Sequence, residues 1–455
     1  MKEEWRTVEP IDWRYSAAIV GLVQYLQWLE ADYVLTEEKL EYHPQDVNES
    51  DYLRFVEEKY ANEMHHRKIE ELLKIPEPTD DQVKLVNEKM NGNSALKKVF
   101  KKIKYDKTNA GEIQTLIDEN REELIRETFR NKNNLYKNYC NTNQLFVDSN
   151  DCCRLVGYYI DMPKKGKSIS YNFNMSNLVR EDDQIFDFIP FAFHGERDFF
   201  FINDNLNLKC LVGTNQSFKN ALKEEREKAE NELKSIDARQ VFFRLLIQSN
   251  NFIKNDIEVI VKNITQKYFE TLYLRKDSLN ILNSLKEDAA HPNRYQCFCI
   301  KIKVTDDYWL DVHKKVTDAI VNLVLLDDLI DYLLKNDEKD CNGYLISQLI
   351  RLNIEIKGDS AMNKSMNIAY ACAKQVVNKK EGTNYKVADN KLNSYRNKLI
   401  TALTFEDYDR FCQVLLNLAN YADENFDFAY NLFEDFEKNK EVAYTFVNAL
   451  RRKKD

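Results

Sequence analysis

Chain breakers are scarce in this sequence, with ten glycines and seven prolines spread over 455 residues. So few positions able to take left-handed or helix-ending backbone favour long helices over a many-turned all-β architecture. The chain also carries 25 Tyr and 25 Phe, and 43% of its residues are hydrophobic, which is ample apolar surface for a large core. At about 150 residues per domain, the length predicts two or three regions sharing one body.

The texture changes along the chain. Residues 11–30, IDWRYSAAIVGLVQYLQWLE, place Ile19, Leu22, Val23, Leu26 and Leu29 at helical spacing and predict a core helix. A short extended piece follows at 33–43, then a charged helical stretch over 51–73. Pro76 and Pro78 mark IPEPTDD as a linker. Residues 81–136 read as helix in two or three pieces, broken near Gly92 and Gly111. Between about residues 143 and 212 the runs RLVGYYID, SISYNFN, DQIFDFIPFAF, DFFFIN and LKCLV are short, β-branched and aromatic, separated by turn formers. They predict an antiparallel β region of four to six strands, with HGERD as a turn whose His194, Glu196, Arg197 and Asp198 form a solvated tip. Ser217 reads as the N-cap of a charged helix, and Tyr295–Val304 as a further strand. From residue 307 onward nearly everything reads as helix. The expectation is an α+β protein with a helix-rich N-terminal region, a central antiparallel β region and a C-terminal helical bundle. Its parts are expected at 1–306 and 307–455.

Sixty-six basic against 75 acidic side chains give a net charge of −9, which argues against uniform coating of nucleic acid and directs attention to local patches. ALKKVFKKIKYDK puts Lys97, Lys98, Lys101, Lys102 and Lys104 around one side of a helix that Val99, Phe100 and Ile103 can dock. Such a row neutralises phosphates without reading bases, although a plain solvated face accounts for it equally. MPKKGKS exposes Lys164, Lys165 and Lys167 on a turn, either beside a duplex or as a soluble hairpin tip. The RRKK at 451–454 is equally open.

Enzymatic chemistry finds little footing. None of the six histidines has a partner at motif spacing, and no HExxH, GxxxxGK[ST] or GxGxxG occurs. Asp327, Asp328 and Asp331 spell DDxxD, a spacing that could hold magnesium, but Asn280, Ser284 and Asp288 match the required second acidic cluster only loosely and precede the first. Nine irregularly spaced cysteines, without any paired CxxC, fit a reducing cytoplasm better than a disulfide framework or a zinc site. The longest apolar run near the N-terminus, 16–29, is interrupted by Gln24 and Gln27 and is too short for a bilayer, so no membrane association is expected.

The opening IDWRYSAAIVGLVQYL, the central FDFIPFAF with FFFINDNLNLKCLV, and the closing YDRFCQVLLNLANYADENFDFAYNLFED together resemble the large subunit of the type I CRISPR surveillance complex, Cascade, of the I-A/I-B kind. The resemblance implies a non-enzymatic protein without a cofactor. It would touch the guide RNA (crRNA), check the protospacer-adjacent motif in target double-stranded DNA, and help to open the duplex. Other Cascade subunits and a recruited helicase-nuclease would be its partners, in the scheme where pairing reads sequence and protein reads a short motif and the backbone. Some relatives carry a central CxxC…CxxC zinc element, whereas this chain has only Cys140, Cys152 and Cys153 in that area. On this reading Lys97, Lys98, Lys101, Lys102 and Lys104 contact backbone, and Lys164, Lys165 and Lys167 sit near the duplex. Arg197 in the HGERD tip and Asn215 and Gln216 in the GTNQS turn are further candidates for RNA or groove contact. An internal start at Met362 or Met366 would yield a separate small subunit, as in several relatives. The alternatives are a metal-dependent nuclease or other enzyme of a defence system, and a protein-only scaffold.

Overall fold

The computed structural model describes residues 5–147, 154–156, 183–232, 237–248, 255–266, 268–286, 294–336, 342–378 and 389–451. The fold is α+β, and the chain divides into two compact units, residues 1–245 with 256–273 and residues 246–255 with 274–455.

The first unit is organised around α1 (Trp13–Leu29), which starts where the Asp12 side chain accepts from the backbone N–H groups of Arg14 and Tyr15. It ends at Glu30, in the left-handed region at φ 56°. A small antiparallel sheet of order β1-β3-β2 frames it, from β1 (Arg6–Val8), β2 (Tyr33–Leu35) and β3 (Leu40–Tyr42). Helix α1 is buried on nearly every side, and its main neighbour is a 3-10 run over Gln184–Ala192, the stretch QIFDFIPFA. A Cβ on Gly21 would lie 2.0 Å from the Phe188 carbonyl oxygen, so only glycine admits this approach. The opening and central stretches that carry the resemblance thus pack on one another. Around them Tyr52, Phe55, Phe129, Phe188 and Phe191 form an aromatic core with ring centroids 4.7–6.3 Å apart.

Asp187 fixes the 3-10 run in place. Its carboxylate accepts from the Tyr136 hydroxyl at 2.6 Å, the Phe146 N–H at 2.9 Å and Arg154 Nη1 at 2.8 Å, while its own carbonyl accepts from the Tyr52 hydroxyl at 2.6 Å. Burial pushes the Asp187 carboxyl up to about 6, against the pull of the Arg154 guanidinium.

The helices α2 (Glu49–Lys59), α3 (His65–Leu73), α4 (Asp80–Met90), α5 (Ser94–Phe100), α6 (Ala110–Glu119), α7 (Arg121–Asn131) and α8 (Tyr136–Tyr139) follow α1. Of these, α3 to α7 enclose a second small core of Ile69, Val86, Leu96, Phe100, Tyr105 and Ile113. The linker expected at 75–81 gives way to helix at Asp80, behind a capping box of Thr79 and Gln82.

The central β expectation needs correction. DQIFDFIPFAF is 3-10 helix and not strand, because a continuous apolar run buried all round satisfies either geometry and the carbonyl contacts above select the coiled one. LKCLV opens a helix. The strands are β4 (His194–Gly195), β5 (Asp198–Asn203), β6 (Ile257–Asn263) and β7 (Glu270–Leu274), in that spatial order, with β5 and β6 antiparallel over six residue pairs. RLVGYYID and SISYNFN lie almost wholly outside the described residues. Helices α9 (Leu208–Glu232) and α10 (Ala238–Gln248) follow the hairpin, and Phe218 meets Phe200 edge-on at 6.0 Å while Phe242 stacks on it at 5.3 Å. Ser217 is therefore not an N-cap: it sits inside α9 and donates to the Gly213 carbonyl.

The second unit holds α11 (Lys276–Ser284), a hairpin of β8 (Lys301–Lys303) and β9 (Trp309–Asp311), and then helix after helix. The strand expected at 295–304 is shorter than expected, because a 3-10 turn occupies Gln296–Phe298 and takes Cys297 off the strand. The helices are α12 (Val312–Asn322), α13 (Asp327–Lys335), α14 (Gly343–Lys357), α15 (Met362–Asn378), α16 (Asp389–Thr404), α17 (Tyr408–Ala422), α18 (Ala429–Glu434) and α19 (Lys440–Ala449). Helix α19 packs against α14 and α15 with Val442, Ala443, Phe446 and Val447 buried. Among the described residues no helix is long and apolar enough to cross a membrane.

Candidate nucleic-acid interface

The lysine cluster is built from its anchors outward. Asn93 starts α5 by accepting from the Leu96 N–H at 2.8 Å, and its amide donates to Thr128 Oγ1 on α7 at 3.1 Å. Ala95, Leu96 and Phe100 bury one face. The helix then stops, because Lys101 leaves the helical region at φ 51°, ψ −112°. Five residues beyond Phe100, Tyr105 is buried, clamped by Asn87, which accepts its N–H at 2.9 Å and donates to its carbonyl at 3.1 Å. The expected single helical row is thereby corrected: Lys97 and Lys98 ride on α5, and Lys101, Lys102 and Lys104 ride on the loop between the two docking points. All five are exposed, and none forms an ion pair among the described residues. Residues 94–107 hold six lysines against one acid, Asp106. A platform of this kind presents positive charge near a helix C-terminus, where the dipole holds it, and leaves that charge uncompensated.

The other expected contacts fall differently. Arg197 is exposed at the turn between β4 and β5, with its carbonyl accepting from the Ile264 N–H at 3.1 Å. His194 is not part of a solvated tip, since its Nε2 is shut away from solvent and burial pushes the ring down to about 3. Asn215 is withdrawn as a contact. It is fully buried in α9, where Oδ1 accepts from the Ile202 N–H at 3.0 Å and Nδ2 donates to the carbonyls of Ile202 and Leu211 at 2.8 and 2.9 Å. Gln216, beside it, is exposed and donates to Asn220 Oδ1 at 2.8 Å. GTNQS is thus helix interior and not a turn. Lys164, Lys165 and Lys167 lie outside the described residues, as do Cys152, Cys153 and residues 452–455.

A second polar surface went unnoticed in the sequence. Between α16 and α17 an open cavity of about 480 Å³ is lined by Asn393, Ser394, Asn397, Lys398, Thr401 and Arg410, with no carboxylate in its wall. Its sequence signal is the run 390–405, an amphipathic stretch without a single Asp or Glu in an otherwise acid-rich chain. Asn and Arg side chains in such a wall can donate to phosphates or base edges.

The acidic motif is occupied from within. Asp327 accepts from Asn353 Nδ2 at 2.7 Å and lies 3.3 Å from Lys440 Nζ, while burial pushes the Asp331 carboxyl up to about 6 beside Tyr444. Three histidines also have structural settings: His66 meets Glu57 at 2.8 Å, His313 meets the Tyr295 hydroxyl at 2.7 Å, and the His43 ring lies tilted against Trp5 with centroids 4.0 Å apart. Among the described residues no group of three His, Cys, Asp or Glu side chains converges as metal ligands would.

Comparison with known families supplies the class, a CRISPR-associated protein. The model of the family "CRISPR-associated protein Csx8" matches residues 6–450, and the chain belongs to that family. No curated protein and no solved structure matches it.

Proposed function

We propose that this chain is the non-catalytic large subunit of a type I Cascade complex, contacting guide RNA and target DNA through its basic surfaces. It would check the protospacer-adjacent motif, help to form the R-loop and give the helicase-nuclease a docking surface. The observation that carries the reading is the platform of Lys97, Lys98, Lys101, Lys102 and Lys104, five exposed ammonium groups without carboxylate partners among the described residues, on a protein of net charge −9. An acidic protein that concentrates unpaired lysines on one small helical core is suited to sequence-independent backbone contact, which leaves sequence reading to the guide. Membership of a CRISPR-associated family supports the same reading. So does the acid-free cavity between α16 and α17, which offers a second place for a strand.

The test is affinity co-purification of the tagged full chain from a host expressing the neighbouring CRISPR genes, at moderate salt. Recovery of one guide RNA of uniform length together with repeated backbone subunits is the expected outcome. A lone chain free of nucleic acid overturns the proposal, and cleavage of DNA by that lone chain with added Mg²⁺ or Mn²⁺ would replace it with a nuclease.

A further inference from the structure

In the second unit α16 and α17 pack as a hairpin, and the turn between them is tightly closed. The Phe405 and Asp407 N–H groups donate to the carbonyls of Thr401 and Ala402 at 3.1 and 2.9 Å, and Glu406 takes the left-handed region at φ 55°. Leu399, Leu403, Phe411 and Leu415 are buried on the inner faces of the two helices. On α16, Asn393, Asn397 and Thr401 recur every four residues and so form one row along the outer face, while Ser394 and Lys398 begin the next row. Both rows line the cavity of about 480 Å³ together with Arg410, which comes from the first turn of α17.

The cavity wall holds donors that the fold leaves available. Each of these side chains is exposed; among the described residues the Asn393 and Asn397 amides make no hydrogen bond, and neither Lys398 nor Arg410 makes an ion pair. Two acids of the turn are engaged elsewhere: Asp407 caps α17 by accepting from the Arg410 backbone N–H at 3.1 Å, and Glu406 lies 3.8 Å from Lys440 Nζ. An aromatic pair adjoins the wall. Lys398 Nζ lies 6.0 Å from the centre of the Tyr395 ring, and that ring lies 5.9 Å from Tyr421, which is 43% exposed. Cations, amides and an exposed ring match the three parts of a nucleotide, namely its phosphate, its base edge and its base face. The volume falls within the range of ligand clefts, about 300–1,000 Å³, and suits a nucleotide and not a duplex.

We propose that the α16–α17 cavity holds an unpaired nucleotide of a single strand and prefers adenine. Arg410 and Lys398 take the phosphate, an amide of Asn393 or Asn397 meets the adenine edge through both its oxygen and its nitrogen, and Tyr421 stacks on a neighbouring base. These contacts need a base that is splayed out with its edge free, which a duplex does not offer. The inference rests on the nucleic-acid role proposed above and adds to it that one of the two surfaces reads bases, whereas the lysine platform is blind to them.

The experiment is fluorescence anisotropy on the purified full chain at physiological ionic strength, with short labelled single strands that are adenine-rich or thymine-rich. The adenine-rich strand is expected to bind about fivefold or more tighter, the discrimination of one bidentate amide contact. Asn393→Ala combined with Asn397→Ala should equalise the two strands and keep the salt dependence, while Arg410→Gln should weaken both strands. Tyr421→Ala should also weaken both, by about fivefold or more, and Tyr421→Phe should not, because it keeps the stacking face. Equal affinity of the wild type for the two strands overturns the proposal, as does a preference that survives the double Asn change with circular dichroism unchanged. Displacement by adenosine monophosphate at equal nucleotide concentration would assign the cavity to a free nucleotide, and displacement by polyglutamate as readily as by unlabelled strand would assign it to an acidic protein segment; either result overturns the strand. The readout is a ratio between two strands on the lone chain, so its failure leaves the co-purification result untouched.

Discussion

Gly21 and Asp187 decide the first unit's core one residue at a time. Alanine is about 1 kcal/mol better than glycine inside a helix, so Gly21→Ala on an exposed face would stabilise the protein. Here the added Cβ would fall 2.0 Å from the Phe188 carbonyl oxygen and 2.8 Å from its carbon, both backbone atoms that cannot rotate away. Overpacking of that kind costs about 1–3 kcal/mol or more and outweighs the propensity gain. The expected outcome is a Gly21→Ala protein with a lower melting temperature, measured by calorimetry; a higher one would show that α1 and the 3-10 run can separate cheaply. Asp187 explains why the aromatic run coils. Its carboxylate gathers three donors from three distant segments, an arrangement no local propensity specifies.

At the scale of elements, the α5 platform and the α13–α19 pairing behave oppositely. The platform charges are exposed and unpaired, so replacing Lys97, Lys98, Lys101, Lys102 and Lys104 with Gln should leave the fold intact. It should flatten the salt dependence of nucleic-acid binding by roughly 0.7–0.9 log units per log unit of salt for each phosphate that the variant no longer neutralises. Fluorescence anisotropy with a labelled oligonucleotide over a salt series reads this directly, and an unchanged slope removes the platform from the interface. In α13, by contrast, Asp331 is held up to about 6, chiefly by burial, from an ordinary 3.8. Between those values the folded state keeps a proton that the unfolded state has released, so this residue's stabilisation is full below about 4 and is lost as the pH rises through about 6. Asp331→Asn should therefore reduce the fall in melting temperature between pH 4 and pH 7 relative to wild type. An identical pH profile in the two proteins would refute this assignment.

Across the whole molecule, the second unit bears on the idea of a separate small subunit. A product starting at Met362 begins at the first residue of α15 and keeps the ties of that helix to the chain's end, such as Lys374 Nζ to the Ala449 carbonyl at 3.0 Å. It also leaves behind Asp327 and Lys357, the partners of the buried Lys440 and Glu441 at 3.3 and 2.7 Å. Glu441 then loses its ion-pair partner, and Lys440 keeps only the longer pairing with Glu406 at 3.8 Å, so such a product is expected to persist only where another surface covers α19. Expression from the native message should give a short C-terminal band that disappears when Met362 and Met366 are both changed to Leu. A single full-length band from the unaltered message counts against it.

Helix dominance followed from the sequence alone, because 17 Gly and Pro residues in 455 leave little else. So did the core helix of residues 13–29, whose apolar spacing is strongly periodic, and the lysine-rich run of 97–104. The CRISPR association was legible for the same reason, resting on local texture and order. Tertiary structure decided the rest. FDFIPFAF is apolar at nearly every position, so its period could not separate strand from coil until Arg154, Tyr136 and Gly21 closed around it. Polar residues were misjudged wherever their surroundings come from afar: Asn215 looks like a turn residue but bonds to strand β5, and the DDxxD carboxylates look like a metal site but meet Lys440. Periodicity is written along the chain, whereas desolvation and pairing exist only after distant segments meet.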